Sequence, residues 1–175
     1  MPTPTYVALA KTVLTGTTGT VTFSSIPQTY TDLLLVGSAR DAGASANVTS
    51  MDIRFAGITS SVYTDTQLYA YSSTPASTRV TSQNTLLQGF VPRDSATANT
   101  FGSFELYIPN YTGSTNKVGS MTAVAEANSS TNIQWGISLD AGLMSNTTAV
   151  TSISIIFGTG AVSGSRFDLY GIKNS

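Results

Sequence analysis

Apolar residues in this chain return at every second position, in short runs, and nowhere at the three-and-four spacing of an amphipathic helix. Met51, Ile53 and Phe55 fall on one face of 48–55, and Phe104, Leu106 and Ile108 on one face of 101–108. Ile133, Trp135, Ile137 and Leu139 alternate in the same way, as do Ile153, Ile155 and Phe157. Gly, Pro, Asn, Ser and Thr bound each run, which is turn chemistry. The pattern predicts strands over 6–14, around Val21 and Phe23, over 33–36, 48–55, 86–91, 101–108, 117–127, 132–139, 151–157 and 166–173. Many short strands at regular spacing predict an all-β chain, an antiparallel β-sandwich of jelly-roll type. There is neither an internal repeat nor a dividing linker, so 6–175 reads as a single domain behind an extended arm, Met1, Pro2, Thr3, Pro4 and Thr5. The two prolines cannot donate to a ladder.

Phe23 to Arg40 is the stretch around which the rest is expected to assemble. Pro27 and the polar residues 28–32 bend the chain, and Leu33 to Val36 then form an unbroken apolar run. A strand exposed on one face would alternate, so this run predicts cover on both faces, by a second layer or by another subunit. Two glycines between the first two strands, Gly16 and Gly19, suggest a hairpin. Residues 56–85 are the least regular third and read mostly as loop, with room for a helical turn over 65–71. Tyr63, Tyr69 and Tyr71 in that segment either form a surface for a partner or a glycan, or plug the end of the sandwich. Arg40 and Arg166 adjoin apolar strands and are either exposed strand-end residues or inward groups needing a carboxylate such as Asp32 or Asp168. Asp52 and Arg54 read as a solvated strand face.

Charged residues make up 10% of the chain, against a usual ~25%. So sparse a charge suits a surface largely covered by neighbours, and with Leu33–Val36 it predicts a homo-oligomer, most simply a trimer. A net charge of −1 with scattered Lys and Arg gives no footprint for nucleic acid. The chain has no Cys and no His, which removes disulfides, thiolate metal sites and Ser-His catalysis. Glu105 and Glu126, the only glutamates, fall on predicted strands and are expected to face solvent rather than to form a catalytic pair. No catalytic, cofactor or metal residues are expected, and the chain is read as a non-enzyme. The N-terminus lacks the basic and apolar regions of a secretory signal, and no apolar run reaches the ~18 residues of a membrane span. Synthesis in a cytoplasm and no membrane partner are the expectations.

Both ends carry a further signal. Tyr6-Val7-Ala8-Leu9-Ala10 and Phe23-Ser24-Ser25-Ile26-Pro27-Gln28-Thr29-Tyr30-Thr31-Asp32-Leu33 stand at one end. Ser152-Ile153-Ser154-Ile155 and Gly164-Ser165-Arg166-Phe167-Asp168-Leu169-Tyr170-Gly171-Ile172-Lys173 stand at the other. Together, over about a third of the chain, they resemble small all-β virion proteins of tailed bacteriophages. Such proteins include capsid cement or decoration proteins, head fibres and tail-fibre domains. The chain departs from the common pattern at Arg54-Phe55-Ala56-Gly57, where Phe-Asn-Gly is usual, and no binding residue is carried over. The resemblance implies a virion structural protein, made in a host cytoplasm, whose partners are other virion proteins. The compact chain beginning at Met1 favours a capsid cement protein on the major capsid protein, with Met1–Thr5 as a capsid-binding arm. The alternative is a tail- or head-fibre domain that binds host-surface glycan.

Overall fold

The computed structural model describes residues 5–45, 48–71, 73–127 and 136–173. They contain β1 (Tyr6–Val13), β2 (Thr18–Phe23), β3 (Asp32–Ala39), β4 (Val48–Phe55), β5 (Tyr63–Tyr71), β6 (Thr74–Gln83), β7 (Leu86–Pro92), β8 (Gly102–Ile108), β9 (Lys117–Ala125), β10 (Gly136–Met144), β11 (Ile153–Ala161) and β12 (Arg166–Ile172). No helix occurs among the described residues, so none there is long and apolar enough to cross a membrane.

The strands form two antiparallel sheets, one of eight strands in the order β1-β12-β3-β8-β9-β10-β5-β6 and one of four in the order β2-β11-β4-β7. The chain is an all-β sandwich. Eight strands, β1-β12-β3-β8 against β2-β11-β4-β7, have the two-sheet jelly-roll arrangement. The other four are pairs inserted in sequence, β5 with β6 and β9 with β10, and both extend the same sheet. That sheet is therefore twice as wide as its partner, and this mismatch positions everything discussed below.

Alternation places the core. Met51, Ile53 and Phe55 from β4, Leu106 and Ile108 from β8, and Ile153 and Ile155 from β11 are wholly buried and pack into one cluster with Leu33, Leu35 and Phe167. Each such side chain contributes about 1.5–3 kcal/mol of burial before entropy is charged. The edge strand β7 packs across β9 and β10. Gly89 permits the approach, because a Cβ there would lie 2.8 Å from Met121 Cε and 3.0 Å from Ala123 Cβ.

Several expectations are corrected. β1 and β2 do not form a hairpin: β1 pairs with β12 and β2 with β11, in different sheets. Residues 63–71 and 74–83 are paired strands rather than loop, and 65–71 is extended rather than a helical turn. Their Thr and Ser content hid a two-stranded insertion whose pairing, not its apolar content, makes it regular. Leu33 and Leu35 are buried, but Leu34 and Val36 face outward and are only half-buried, so within the chain itself no second layer fully covers the outer face of β3. The strand expected at 132–139 is described from Gly136 and continues to Met144, and 132–135 lie outside the described residues. Asp52 and Arg54 are half-buried rather than solvated. Burial pushes the Asp52 carboxyl up, and Arg54 Nε donates to Asn84 O at 3.2 Å.

The two arginines divide. Arg40 is buried, and its guanidinium donates to Asp94 Oδ1 at 3.3 Å and to the carbonyls of Asp94, Ala96, Thr97 and Thr100 at 2.8–3.1 Å. It organises the loop after β7. Arg166 is exposed and forms a two-point pair with Asp168 at 2.6 and 3.0 Å. Asp32 serves neither arginine: it accepts from Tyr107 OH and from Asn110 N–H, both at 2.9 Å.

Candidate docking face and the buried polar residues beneath it

β10 and β5 have their pattern turned inside out. On β10, Ile137 and Leu139 point to solvent with 54% and 52% exposure, while Ser138 and Asp140 point into the protein. On β5, Leu68 is 60% exposed while Asp65 and Gln67 are buried. Alternation in a sequence shows which residues share a face, but not which face will be covered. Exposing large apolar groups while burying carboxylates breaks the usual rule twice, and such local conflicts are where functional sites are expected.

Register builds the outward face. One row runs Thr122–Leu139–Leu68–Ser77 and the next Val124–Ile137–Ala70–Pro75 across β9, β10, β5 and β6. All of these but Ser77 line a shallow groove of about 400 Å³, bordered by Tyr69. The outward positions of β9, β10 and β5 carry no charged side chain. Charges begin at the margins: Glu105 on β8 pairs in register with Thr122, and Arg79 on β6 with Thr66. On the Glu105 side a second groove of about 390 Å³ is lined by Ser38, Ser103, Glu105, Arg166 and Asp168. An uncharged apolar centre with a polar rim is the anatomy of a protein-binding face.

On the inward face, β5 and β10 bury Asp65, Gln67, Ser138 and Asp140, whereas β9 buries Met121 and Ala123. Gln67 Nε2 donates to Asp140 Oδ1 at 2.6 Å. Asp140 Oδ2, Asp65 Oδ1 and Ser138 Oγ are buried and make no hydrogen bond. Burial raises the Asp65 carboxyl to about 6 and the Asp140 carboxyl to about 7; Asp52 adds to the rise at Asp65 and Asp65 to that at Asp140, while the Thr66 backbone near Asp65, and Ser138 and Gln67 near Asp140, oppose it. Neither forms an ion pair with Lys or Arg among the described residues. By contrast Asp41, also wholly buried, accepts from the N–H groups of Gly43, Thr159 and Gly160 and from Arg93 Nε, at 2.9–3.3 Å. Of the buried acids, Asp32 and Asp41 have hydrogen bonds to both oxygens, while Asp65 and Asp140 each keep one oxygen without a hydrogen bond.

The residues singled out from sequence do not come together as one site. Tyr63 is buried, its hydroxyl accepting from Phe55 N–H at 3.3 Å and donating to the Ile58 carbonyl at 3.0 Å. It belongs to the core, so it is not part of an exposed partner or glycan surface. Tyr69 is half-buried with its ring tilted against Phe90, centroids 6.1 Å apart. Tyr71 ends β5, opposite Gly136 and Thr74. Met1, Pro2, Thr3 and Pro4 lie outside the described residues, and the carbonyl of Thr5 accepts from Lys173 N–H at 3.0 Å. Glu105 and Glu126 are exposed and stand on β8 and just beyond β9. No group of three or more acidic side chains among the described residues is placed to hold a metal ion. The apolar face and the orphaned oxygens were missed in the sequence; the only signal was the alternation of Leu68, Ile137 and Leu139 with Gln67, Ser138 and Asp140.

No family profile and no curated protein match this chain. Among solved structures, it is similar to the CBM40 module of the Ruminococcus gnavus IT-sialidase bound to α2,6-sialyllactose. That similarity has a TM-score of 0.33 and 12% identity, over 97% of this chain and 94% of the other. It is also similar to the CBM2 module of the evolved Dit of Lactobacillus casei BL23 phage J-1, with a TM-score of 0.21 and 8% identity, over 89% of this chain and 69% of the other.

Proposed function

We propose that this chain is a non-enzymatic structural protein of a bacteriophage virion, a capsid cement protein that docks on the major capsid protein. The observation that carries the reading is the outward apolar face of β9, β10 and β5, with Leu68, Val118, Val124, Ile137 and Leu139 each at least 45% exposed. Covering the exposed half of one such side chain contributes about 1 kcal/mol, so covering several against a flat partner supports stable binding.

The resemblance adds support through its position in the fold. Its end segments are neighbours: Tyr6–Ala10 pairs with β12, and Phe23 pairs with Ile153. They form jelly-roll scaffold, whereas the apolar face is built by 63–144, outside those segments. A second copy of the chain is a further partner under this reading, assembled as a trimer, with Glu105 and Arg79 providing opposite charges at the two margins. Residues 1–5 are the capsid-binding arm under this reading.

The test is cosedimentation of the purified protein with shells of the major capsid protein. Binding by the wild type, lost in Leu68→Lys/Leu139→Lys with the fold intact, is expected. Deletion of 1–4 should weaken binding and leave Tm nearly unchanged. Equal binding by the double variant, or a glycan-array signal with no shell binding, overturns the cement reading.

A further inference from the structure

We propose that the outward face of β12, β3 and β8 holds a neutral saccharide, in the groove of about 390 Å³ walled by Glu105, Arg166 and Asp168. Register places the walls. Val36 on β3 stands opposite Asp168 on β12 and opposite Glu105 on β8, so the two carboxylates flank it. Two strand spacings, about 9.5 Å, separate their backbones. Two residues further along β3, Ser38 stands between Arg166 and Ser103 in the same way. The groove therefore has a carboxylate and a hydroxyl on one side and an ion pair on the other, with Val36 between them.

These polar groups are fixed in place and still have bonds to give. Arg166 donates to Asp168 at 2.6 and 3.0 Å through two of the guanidinium's five N–H donors, which leaves three for a ligand. Arg166 first, and Lys11 after it, hold the Asp168 carboxyl below the ordinary carboxylate range, so it remains an acceptor. A planar pair of this kind offers donors and acceptors side by side. Adjacent sugar hydroxyls can accept from the guanidinium and donate to the carboxylate at once. Glu105, across the groove, is exposed and forms no ion pair among the described residues. On the other side of Val36, Tyr170, Leu34 and Tyr107 stand in one row across the same three strands, all half-buried. Tyr107 is held by its hydroxyl bond to Asp32 Oδ2 at 2.9 Å. That row lies two residues, about 6.8 Å, from the acids. Its rings offer the apolar surface on which the C–H face of a pyranose packs.

Two further observations select the class of ligand. β12, β3 and β8 each have a strand on both sides, so they present no free ladder edge for an extended peptide to join. Glu105 and Asp168 are balanced by Arg166 and by Lys11, which stands opposite Asp168 on β1. A site with no excess of either sign attracts neither a phosphate-like anion nor a cation. The chemistry left is an uncharged ligand, rich in hydroxyls and apolar on one face. The groove adjoins the apolar docking face where Glu105 meets Thr122, but its polar walls are made by other strands.

The experiment is an array of neutral oligosaccharides, set beside sialylated and sulfated ones and probed with the purified full chain, followed by calorimetric titration of the strongest neutral binder. Binding of a neutral saccharide in preference to the anionic set is expected. Arg166→Gln should weaken it at least about tenfold while Tm moves by no more than about 4 °C, because an exposed ion pair contributes at most about 1 kcal/mol. Glu105→Gln leaves the pair intact and should weaken binding by roughly threefold or more. Should Arg166→Gln fail to fold, Glu105→Gln alone decides. An array without a neutral binder, a preference for anionic glycans, or binding undiminished in either folded variant overturns the proposal. The array holds no capsid shells, so its outcome is separate from that of the cosedimentation.

Discussion

Leu68 and Leu139 stand directly opposite each other across the β5–β10 ladder, and both face outward, 60% and 52% exposed. Cross-strand apolar pairs stabilise a sheet by a few tenths to about 1 kcal/mol, but a pair left in water contributes little of its burial energy. Their value lies in what they can cover. Leu139→Lys should therefore change unfolding free energy by less than about 1 kcal/mol while reducing binding to capsid shells at least tenfold. Chemical denaturation and cosedimentation check the two halves. A destabilised variant that still binds would place Leu139 in the fold rather than in the interface.

Asp65 and Asp140 impose a pH dependence on stability. Their folded-state values, about 6 and about 7, lie above the ordinary carboxylate value of 3.8. The folded protein therefore binds more protons than the unfolded chain between about pH 4 and 7, and stability falls as pH rises through that window. It is fully present below pH 4, as far as these two groups are concerned, and level again above 7. For Asp140 the loss is on the order of a few kcal/mol, at about 1.4 kcal/mol per pH unit. Thermal unfolding across pH 4–8 should show the decline, and Asp140→Asn should flatten it. A wild-type profile that rises over this range would contradict the burial of these acids.

Ala56 is strained and replaceable. Ala56 and Gly57 both have positive φ, 50° and 67°, in a tight turn closed by Ile58 N–H on Phe55 O at 3.0 Å. Paired positive φ values are the backbone of a turn that favours Asn-Gly, because Asn tolerates the left-handed region better than Ala. The resembling phage proteins usually have Asn here. Ala56→Asn should stabilise the protein by roughly 0.5–1 kcal/mol, raising Tm by about 1–4 °C. An unchanged or lower Tm counts against strain at this position.

Arg40 fastens 94–100 to the end of β3 with five donor contacts. Lys has three donors on a single nitrogen and cannot reproduce the fork. Arg40→Lys and Arg40→Met should each cost about 3 kcal/mol or more, because buried carbonyls lose their partner. The measurement is urea unfolding with an unchanged m-value. A cost under ~1 kcal/mol would show that water replaces the guanidinium without penalty.

Strand positions were legible in the sequence because a period of two is a local property. Met51-Ile53-Phe55 and Ile153-Ile155-Phe157 each form one apolar face whatever the strand pairs with, and they are core in the structure. The all-β class followed from the same feature, together with turn chemistry between the runs. Pairing partners were not legible. Tyr6 meets Ile172, at the far end of the chain, although a glycine turn leads to β2 nearby. Local turn chemistry permits a hairpin but cannot weigh it against a better ladder elsewhere. The same limit hid the candidate site. Ile137 and Leu139 alternate as regularly as Ile153 and Ile155, and nothing local distinguishes a face toward the second sheet from a face away from it. Only the tertiary structure decides, because an eight-stranded sheet lies on a four-stranded one. Burial is set by what covers a face, and the extension turns its polar side inward beneath β7 while its apolar side remains in solvent.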